Sequence, residues 1–146
     1  MKRRIFIHKL ALSLSAIAGL IAGISFLRQF YPPSFVRKKK IKIGDPNLYP
    51  VDTYTYLDKY DLYIYRDYES VRAVSAVCTH LGCILEKTTE GFECPCHGSK
   101  YNDRGEVLSG PAPTDLKWYM LQKANDGRLV VDMSRIVDAE YRYSIG

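Results

Sequence analysis

Six side chains suited to binding a metal lie close together in residues 78–101. This stretch holds all four cysteines of the 146-residue chain and two of its three histidines. They fall in two short loops, residues 78–83 (CTHLGC) and residues 94–99 (CPCHGS). Because each loop offers two cysteines and one histidine, the pattern predicts a metal centre shared between two similar loops.

Two other kinds of site use the same residue types. A structural zinc site would take two cysteines and two histidines, but zinc-binding cysteines are usually separated by two to four residues. Only one residue separates Cys78 from His80, and zinc would leave two cysteines without a role. A cysteine nucleophile activated by histidine would need neither the second loop nor the extra cysteines.

The elements that must position these loops are short strands. From residue 51 onward, runs rich in branched and aromatic residues alternate with turn signals such as Asn125-Asp126-Gly127. This spacing predicts an all-β sandwich or small barrel of antiparallel strands. The tail after Met133 carries no pattern that predicts an element. The predicted strands are residues 51–57, 62–65, 71–77, 107–108, 117–121 and 129–131.

The first 27 residues predict a membrane anchor. Residues 10–27 contain no charged residue, and 18 residues give a helix of about 27 Å, close to the ~30 Å hydrocarbon core of a bilayer. A cleaved signal peptide and a buried core helix are the alternatives. Cleavage near Ala16-Ile17-Ala18 would leave a short apolar stretch before it, so we favour an uncleaved anchor. Arg3-Arg4 resembles a twin-arginine export signal.

Residues 28–45 predict a flexible linker, since they contain Pro32-Pro33 and a basic run but no clean periodicity. The folded domain is then residues 46–146. The net charge of +5 comes from the N-terminal part, because residues 1–40 carry nine Lys and Arg and no acid. The remainder has 12 basic and 16 acidic residues, so the sequence argues against a nucleic-acid-binding face and for contact between the basic segment and lipid headgroups.

The two loops, together with Tyr101 and residues 110–113 (GPAP), closely resemble the Rieske iron-sulfur proteins. The resemblance is strongest to the subunit of cytochrome bc-type quinol:cytochrome c oxidoreductases, and it extends to the order of anchor, hinge and domain. It implies a Rieske-type antiparallel fold with a cluster-binding subdomain and one 2Fe-2S cluster per chain. The cluster ligands that it implies are Cys78 and Cys94 on one iron and His80 and His97 on the other.

The electrostatics of such a centre agree with these ligands. Two ferric irons, two sulfides and two thiolates sum to zero charge when the other two ligands are neutral imidazoles. A less negative cluster accepts an electron more easily, hence roughly −150 to +300 mV for Rieske centres against roughly −400 mV for plant-type ferredoxins. The resemblance also implies that Ser99 and Tyr101 donate hydrogen bonds to a sulfide and to the Cys78 sulfur, which raises the potential further.

The resemblance further implies a disulfide between Cys83 and Cys96 that ties the loops together. A disulfide needs an oxidising compartment, so the domain is expected on the periplasmic side of the membrane. Soluble Rieske ferredoxins and oxygenase domains generally lack this second cysteine pair, which favours the bc-type family.

In that family, quinol binds at the tip of the domain, hydrogen-bonded to His97, and electron and proton are accepted together. Leu81 and residues 111–113 are expected to shield the cluster and to shape the docking surface. The implied partners are a cytochrome b-like membrane subunit and a c-type cytochrome, with the chain acting as a redox subunit that is not catalytic alone. The alternatives are the small Rieske subunit of another periplasmic oxidoreductase, such as an arsenite-oxidase-type enzyme, and a zinc-stabilised binding module.

Overall fold

A computed structural model describes residues 2–30 and 40–145 of the chain. The chain divides into two compact units, Met1–Arg37 and Lys38–Gly146. Helix α1 spans Lys2–Phe30. Its segment Arg3–Arg28 is long and apolar enough to cross a membrane, judged by length and composition. The structure thus contains the N-terminal apolar helix that the sequence predicts.

Within residues 40–145, the second unit contains eleven short strands, with a 3-10 helix, Pro46–Leu48, after the first of them. In chain order they are β1 (Lys40–Gly44), β2 (Thr53–Leu57), β3 (Leu62–Arg66), β4 (Ser70–Ser75), β5 (Glu86–Thr88), β6 (Gly91–Glu93), β7 (Lys100–Tyr101), β8 (Val107–Ser109), β9 (Trp118–Lys123), β10 (Leu129–Val137) and β11 (Tyr143–Ser144).

The strands form two antiparallel sheets, which confirms the predicted all-β class. The larger sheet has the order β1-β10-β9-β4-β3-β2, with β11 paired to β4. The smaller sheet has the order β5-β6-β7-β8. The smaller sheet and the segments around it carry the candidate site, since it contains Tyr101 and flanks both loops.

Strand β3 contributes to two hydrophobic cores because neighbouring side chains of a strand point to opposite faces. Leu62 and Ile64 pack into a first core. Tyr63 packs into a second core that also contains Phe92 and Trp118. The Tyr63 hydroxyl donates a hydrogen bond of 2.9 Å to the carbonyl of Leu85, beside the first loop. The larger sheet therefore contributes to both cores, and the second core lies beside the loops that carry the candidate site.

Several strands were not predicted from the sequence. Strand β1 alternates lysine with isoleucine, and only Ile41 and Ile43 are buried. Because of its lysines, this edge strand was assigned to the basic linker. Strands β5, β6 and β7 have three residues or fewer and are partly charged. The tail after Met133, whose sequence carries no signal for any element, contains the end of β10 and all of β11.

The predicted linker, residues 28–45, is shorter at both ends in the structure. Helix α1 continues to Phe30, and β1 begins at Lys40, where it pairs with β10. Residues 31–39 lie outside the described residues, so the central part of the linker stays a prediction.

Arg72 is an unusual member of the second core. Only 7% of this residue of β4 is exposed, and its guanidinium carbon lies 3.9 Å from the centre of the Trp118 ring. One terminal nitrogen donates to the carbonyl of Ala139, whereas Nε has no hydrogen-bond partner. Among residues 2–30 and 40–145, no carboxylate forms an ion pair with it. Burial lowers the pKa of Arg72.

We expect the free energy of unfolding of Arg72→Met to lie within about 1 kcal/mol of the wild-type value, or above it, because burying a charge that has no carboxylate partner costs several kcal/mol. Arg72→Ala should lose about 2–4 kcal/mol because it leaves a cavity. Arg128→Met, at a largely exposed arginine, is the control and should stay within about 0.5 kcal/mol. Equal losses for the methionine and alanine variants would show that the guanidinium contacts outweigh its desolvation.

Candidate metal centre

The two loops have the same backbone design. In the first loop, residues 78–83, the N–H of Cys78 donates to the carbonyl of Cys83 at 2.8 Å, and the N–H of Gly82 donates to Cys78 at 3.1 Å. In the second loop, residues 94–99, the N–H of Cys94 donates to the carbonyl of Ser99 at 2.8 Å, and the N–H of Gly98 donates to the carbonyl of Cys94 at 3.0 Å. Each loop is thus closed over the same number of residues by the same pair of bonds.

A glycine occupies the fifth position of each loop, where the backbone turns back on itself. The φ angles are +82° at Gly82 and +70° at Gly98, a left-handed region that other residues enter at a cost. The first loop follows β4, and a β-bridge between Val77 and Ile84 pairs the residues on either side of it. The second loop joins β6 to β7. Both loops therefore emerge from paired strands.

A disulfide between Cys83 and Cys96 joins the two loops. This is the pairing that the family resemblance implies. Cys78 and Cys94 are not in a disulfide, and both are buried. The sulfur atoms of Cys83, Cys94 and Cys96 lie within 4.8 Å of one another. Because two of these three are bonded together, only Cys94 of this group has a thiol free to bind a metal.

The Tyr101 hydroxyl lies 3.4 Å from the Cys78 sulfur. It also accepts a hydrogen bond of 3.2 Å from the N–H of Thr79, and it lies 3.1 Å from the Thr79 hydroxyl. Thr79 in turn donates to the carbonyl of Thr114 at 2.6 Å. Tyr101 thus connects the first loop to the smaller sheet, and Thr79 connects that loop to the segment before β9.

These contacts favour a thiolate at Cys78. Burial, the largest influence, raises the pKa of the Cys78 thiol, but several hydrogen bonds together lower it by more, first that from the Tyr101 hydroxyl and then that from the His80 backbone. The pKa of Cys78 therefore lies below its ordinary value. Burial, followed by the hydrogen bond with Cys78, raises the pKa of Tyr101. The phenol therefore stays protonated and can donate to the thiolate.

The two histidines face each other across the loops, with ring centres 4.9 Å apart and planes at 85°. His97 is exposed, and His80 is partly buried. Nδ1 of His80 is buried without a hydrogen-bond partner. A buried ring nitrogen with no partner is what a metal ion would satisfy, since buried polar atoms are almost always paired.

Ser99 supplies a second unpaired polar atom. The residue is fully buried, and its hydroxyl oxygen has no hydrogen-bond partner. Two buried thiols and two imidazoles could hold either zinc or an iron-sulfur cluster. A bridging sulfide would give the Ser99 hydroxyl an acceptor, whereas a single zinc ion would not. The donor set therefore fits a 2Fe-2S cluster better than zinc.

Residues 110–113 press against the second loop. A methyl group built on Gly110 would lie 2.5 Å from the Cα of Ser99, so only glycine permits this approach. Ala112 is buried, whereas Pro111 and Pro113 are exposed. Leu81 of the first loop is 72% exposed. Exposed apolar side chains thus occur in the first loop and in the segment that packs against the second loop.

The predicted site residues come together in three groups. Cys78 contacts Tyr101, Cys83 is bonded to Cys96, and His80 faces His97. Sequence reasoning missed Thr79, although it lies between two predicted ligands. Its hydroxyl links two segments that are 35 residues apart, which no local pattern could reveal.

Known proteins resemble this chain in the same region. A family model described as "Rieske [2Fe-2S] domain" matches residues 39–120. An iron-sulfur subunit of the cytochrome b6-f complex from Chlorobaculum tepidum is 34% identical, over 91% of this chain and 76% of that protein. One from Chlorobaculum thiosulfatiphilum is 29% identical, over 88% and 75%. A plasma-membrane Rieske protein from Synechocystis PCC 6803 is 27% identical, over 62% and 97%, with a TM-score of 0.45.

We expect Gly110→Ala to be clearly less stable than Gly98→Ala. Both glycines have positive φ, +93° and +70°, so both variants lose about 1–2 kcal/mol from backbone strain. Only the methyl group at position 110 meets backbone, because that of Gly98 would have no atom within 4 Å. The overpacking should cost Gly110→Ala a further 1–3 kcal/mol or so, measured by thermal unfolding. Equal losses would contradict the close approach to Ser99.

Proposed function

Because this chain belongs to the Rieske iron-sulfur family, we propose that it is the electron-transfer subunit of a cytochrome bc-type complex. In this proposal it oxidises membrane quinol and passes the electron to a c-type cytochrome. The observation that carries the proposal is the contrast between exposed His97 and the buried thiols of Cys78 and Cys94. One side of the centre is open to a substrate, and the other is shielded from water.

The ligand set is the first part of the proposal. Cys78 and Cys94 would bind one iron, and His80 and His97 the other. The buried, unpaired Nδ1 of His80 and the lowered pKa of Cys78 support this assignment. When bound, the cluster supplies a site that takes up and releases one electron at a potential of roughly −150 to +300 mV.

Tyr101 and Ser99 would tune that potential. Hydrogen bonds to ligand or bridging sulfur withdraw negative charge, so they favour the reduced form. The Tyr101 hydroxyl is already within 3.4 Å of the Cys78 sulfur. The Ser99 hydroxyl is buried without a partner, as a donor reserved for sulfide would be.

His97 would be the catalytic residue, because it is the exposed member of the ligand set. An exposed ring nitrogen of His97 accepts a hydrogen bond from the quinol hydroxyl and takes up its proton. Exposed Leu81 and the exposed prolines at positions 111 and 113 would shield the cluster and shape the surface that docks on a cytochrome b-like subunit.

Helix α1 would anchor the chain in the membrane with a single span. The disulfide supports a periplasmic location for the Rieske domain, because it needs an oxidising compartment. The proposed division is an anchor in residues 1–27 with a twin-arginine-like signal, a hinge that the sequence predicts within residues 28–45, and a Rieske domain. This domain begins with β1 at Lys40 rather than at the predicted residue 46, because β1 pairs with β10. The hinge would let the domain move between the cytochrome b-like subunit and the c-type cytochrome.

The proposal is tested by purifying the chain with its partners from membranes. Electron paramagnetic resonance after dithionite reduction should give a Rieske spectrum, and quinol should reduce a bound c-type haem. Recovery with a molybdopterin subunit and no cytochrome b would favour the second candidate, an arsenite-oxidase-like complex. A silent spectrum with one zinc per chain would overturn the iron-sulfur assignment.

We expect His97→Ala to abolish both the Rieske spectrum and quinol oxidation, because it removes an iron ligand. His8→Ala changes the histidine outside the two loops and should leave the spectrum unchanged, which makes it the matched control. Iron content and the spectrum are measured on both purified variants. A His97→Ala protein with a normal cluster and normal quinol oxidation would show that the ligand assignment is wrong.

Tyr101→Phe should lower the redox potential while the cluster stays bound. The variant loses one hydrogen bond to the Cys78 sulfur, worth on the order of 1 kcal/mol. Since 59 mV corresponds to a tenfold change in a one-electron equilibrium, we expect a fall of about 40 mV. Tyr68→Phe, at a tyrosine that is 79% exposed, is the control in the same redox titration. An unchanged potential in Tyr101→Phe would remove its tuning role.

A further inference from the structure

Three of the four cysteine sulfurs form a compact group in this structure. Those of Cys83, Cys94 and Cys96 all lie within 4.8 Å of one another. Cys83 and Cys96 share a disulfide, so the third member is a free thiol beside a disulfide bond. A thiol in that position can exchange with the disulfide without any external reagent.

We propose that Cys94 is an internal nucleophile that rearranges the disulfide whenever no cluster occupies its sulfur. The sulfur of Cys94 bonds to Cys83, the Cys83–Cys96 bond breaks, and the Cys96 sulfur leaves with the bonding electrons. The proton lost by Cys94 is taken up by Cys96. One disulfide and one thiol are present before and after, so the exchange needs neither oxidant nor reductant.

Cys83 is the target because of the chain between the alternatives. Only Pro95 lies between Cys94 and Cys96, and its ring fixes φ near −65°, which restricts closure of so small a ring. Cys83 lies in the other loop, so a Cys83–Cys94 bond still ties the two loops together. The rearranged chain keeps its crosslink but loses a thiol that the cluster needs.

Burial makes the exchange internal. Cys94 is 1% exposed, so dissolved thiols and oxidants reach it poorly, whereas the disulfide lies beside it. Cys96 is exposed, so the thiol released by the exchange meets solvent and can be labelled. The second free cysteine, Cys78, is not a member of the three-sulfur group. It is the matched control for a free, buried thiol.

The cluster and the exchange compete for the Cys94 sulfur. A chain diverted to the Cys83–Cys94 pairing cannot bind both irons, whereas a chain with Cys94 bound to iron keeps its Cys83–Cys96 disulfide. This competition rests on the proposed function for one point, that Cys94 is an iron ligand.

The test compares the cluster-loaded full-length chain in detergent with the same sample after anaerobic removal of iron by a chelator. Both are kept for several hours without thiol or oxidant, since uncatalysed rearrangement takes minutes to hours. The samples are then acidified, alkylated and digested with trypsin. Cleavage after Arg72, Lys87 and Lys100 leaves Cys78 and Cys83 in one peptide and Cys94 and Cys96 in another. Fragment ions then show which cysteine of each pair carries the alkyl group.

We expect the chelated chain to give at least about tenfold more Cys83–Cys94 peptide, alkylated at Cys96, than the loaded chain. An iron-free Cys94→Ser variant should keep the Cys83–Cys96 bond, while an iron-free Cys78→Ser variant should rearrange like the wild type. An intact Cys83–Cys96 bond in the chelated wild type would overturn the inference. Disulfides to Cys78 as frequent as those to Cys94 would also overturn it, because they would show that the exchange is not specific to Cys94.

The electron paramagnetic resonance spectrum of the loaded sample separates this inference from the proposed function. A Rieske spectrum together with no rearrangement after chelation contradicts the exchange and leaves the function untouched. Equal rearrangement in the loaded and chelated samples contradicts the ligand role of Cys94, and with it the protection of the disulfide by the cluster.

Discussion

Each candidate metal-binding loop is closed by two backbone hydrogen bonds, and the remaining geometry of the site depends on these four bonds. They hold Cys78 and Cys94 at equivalent positions of two similar turns. Because the closures are equivalent, the thiols enter the site in the same way from both sides. The side chains that differ between the loops, above all the histidines and the second cysteines, then determine which side is open and which is crosslinked.

The scaffold around the loops works mainly by satisfying or withholding partners for buried polar atoms. Tyr101 and Thr79 complete the surroundings of Cys78, whereas Nδ1 of His80 and the hydroxyl of Ser99 are buried without partners. Unpaired polar atoms cost free energy, so a folded chain that retains two of them at one site is suited to a bound group. Packing of Gly110 against the backbone of Ser99 holds the Ser99 hydroxyl in position.

The chemistry of this chain was easier to predict than its architecture. Spacing within residues 78–101 indicated the loops and the family because the candidate ligands of this chain lie close together in sequence. Strand β1 was missed because Lys40 and Lys42 look like part of a basic linker, although Ile41 and Ile43 between them are buried. The contact from Thr79 to Thr114 was missed because it joins distant segments, and such contacts leave no periodic signal.

The alternation along β3 divides the domain into two halves that share one wall. Leu62 and Ile64 belong to a core without site residues, and Tyr63 belongs to the core that contains Cys78 and Cys94. Opening of the loops therefore exposes only one face of the larger sheet, while the other face keeps its packing. We therefore expect two levels of amide protection against hydrogen exchange, because the half that carries the loops can open locally while the other half stays folded.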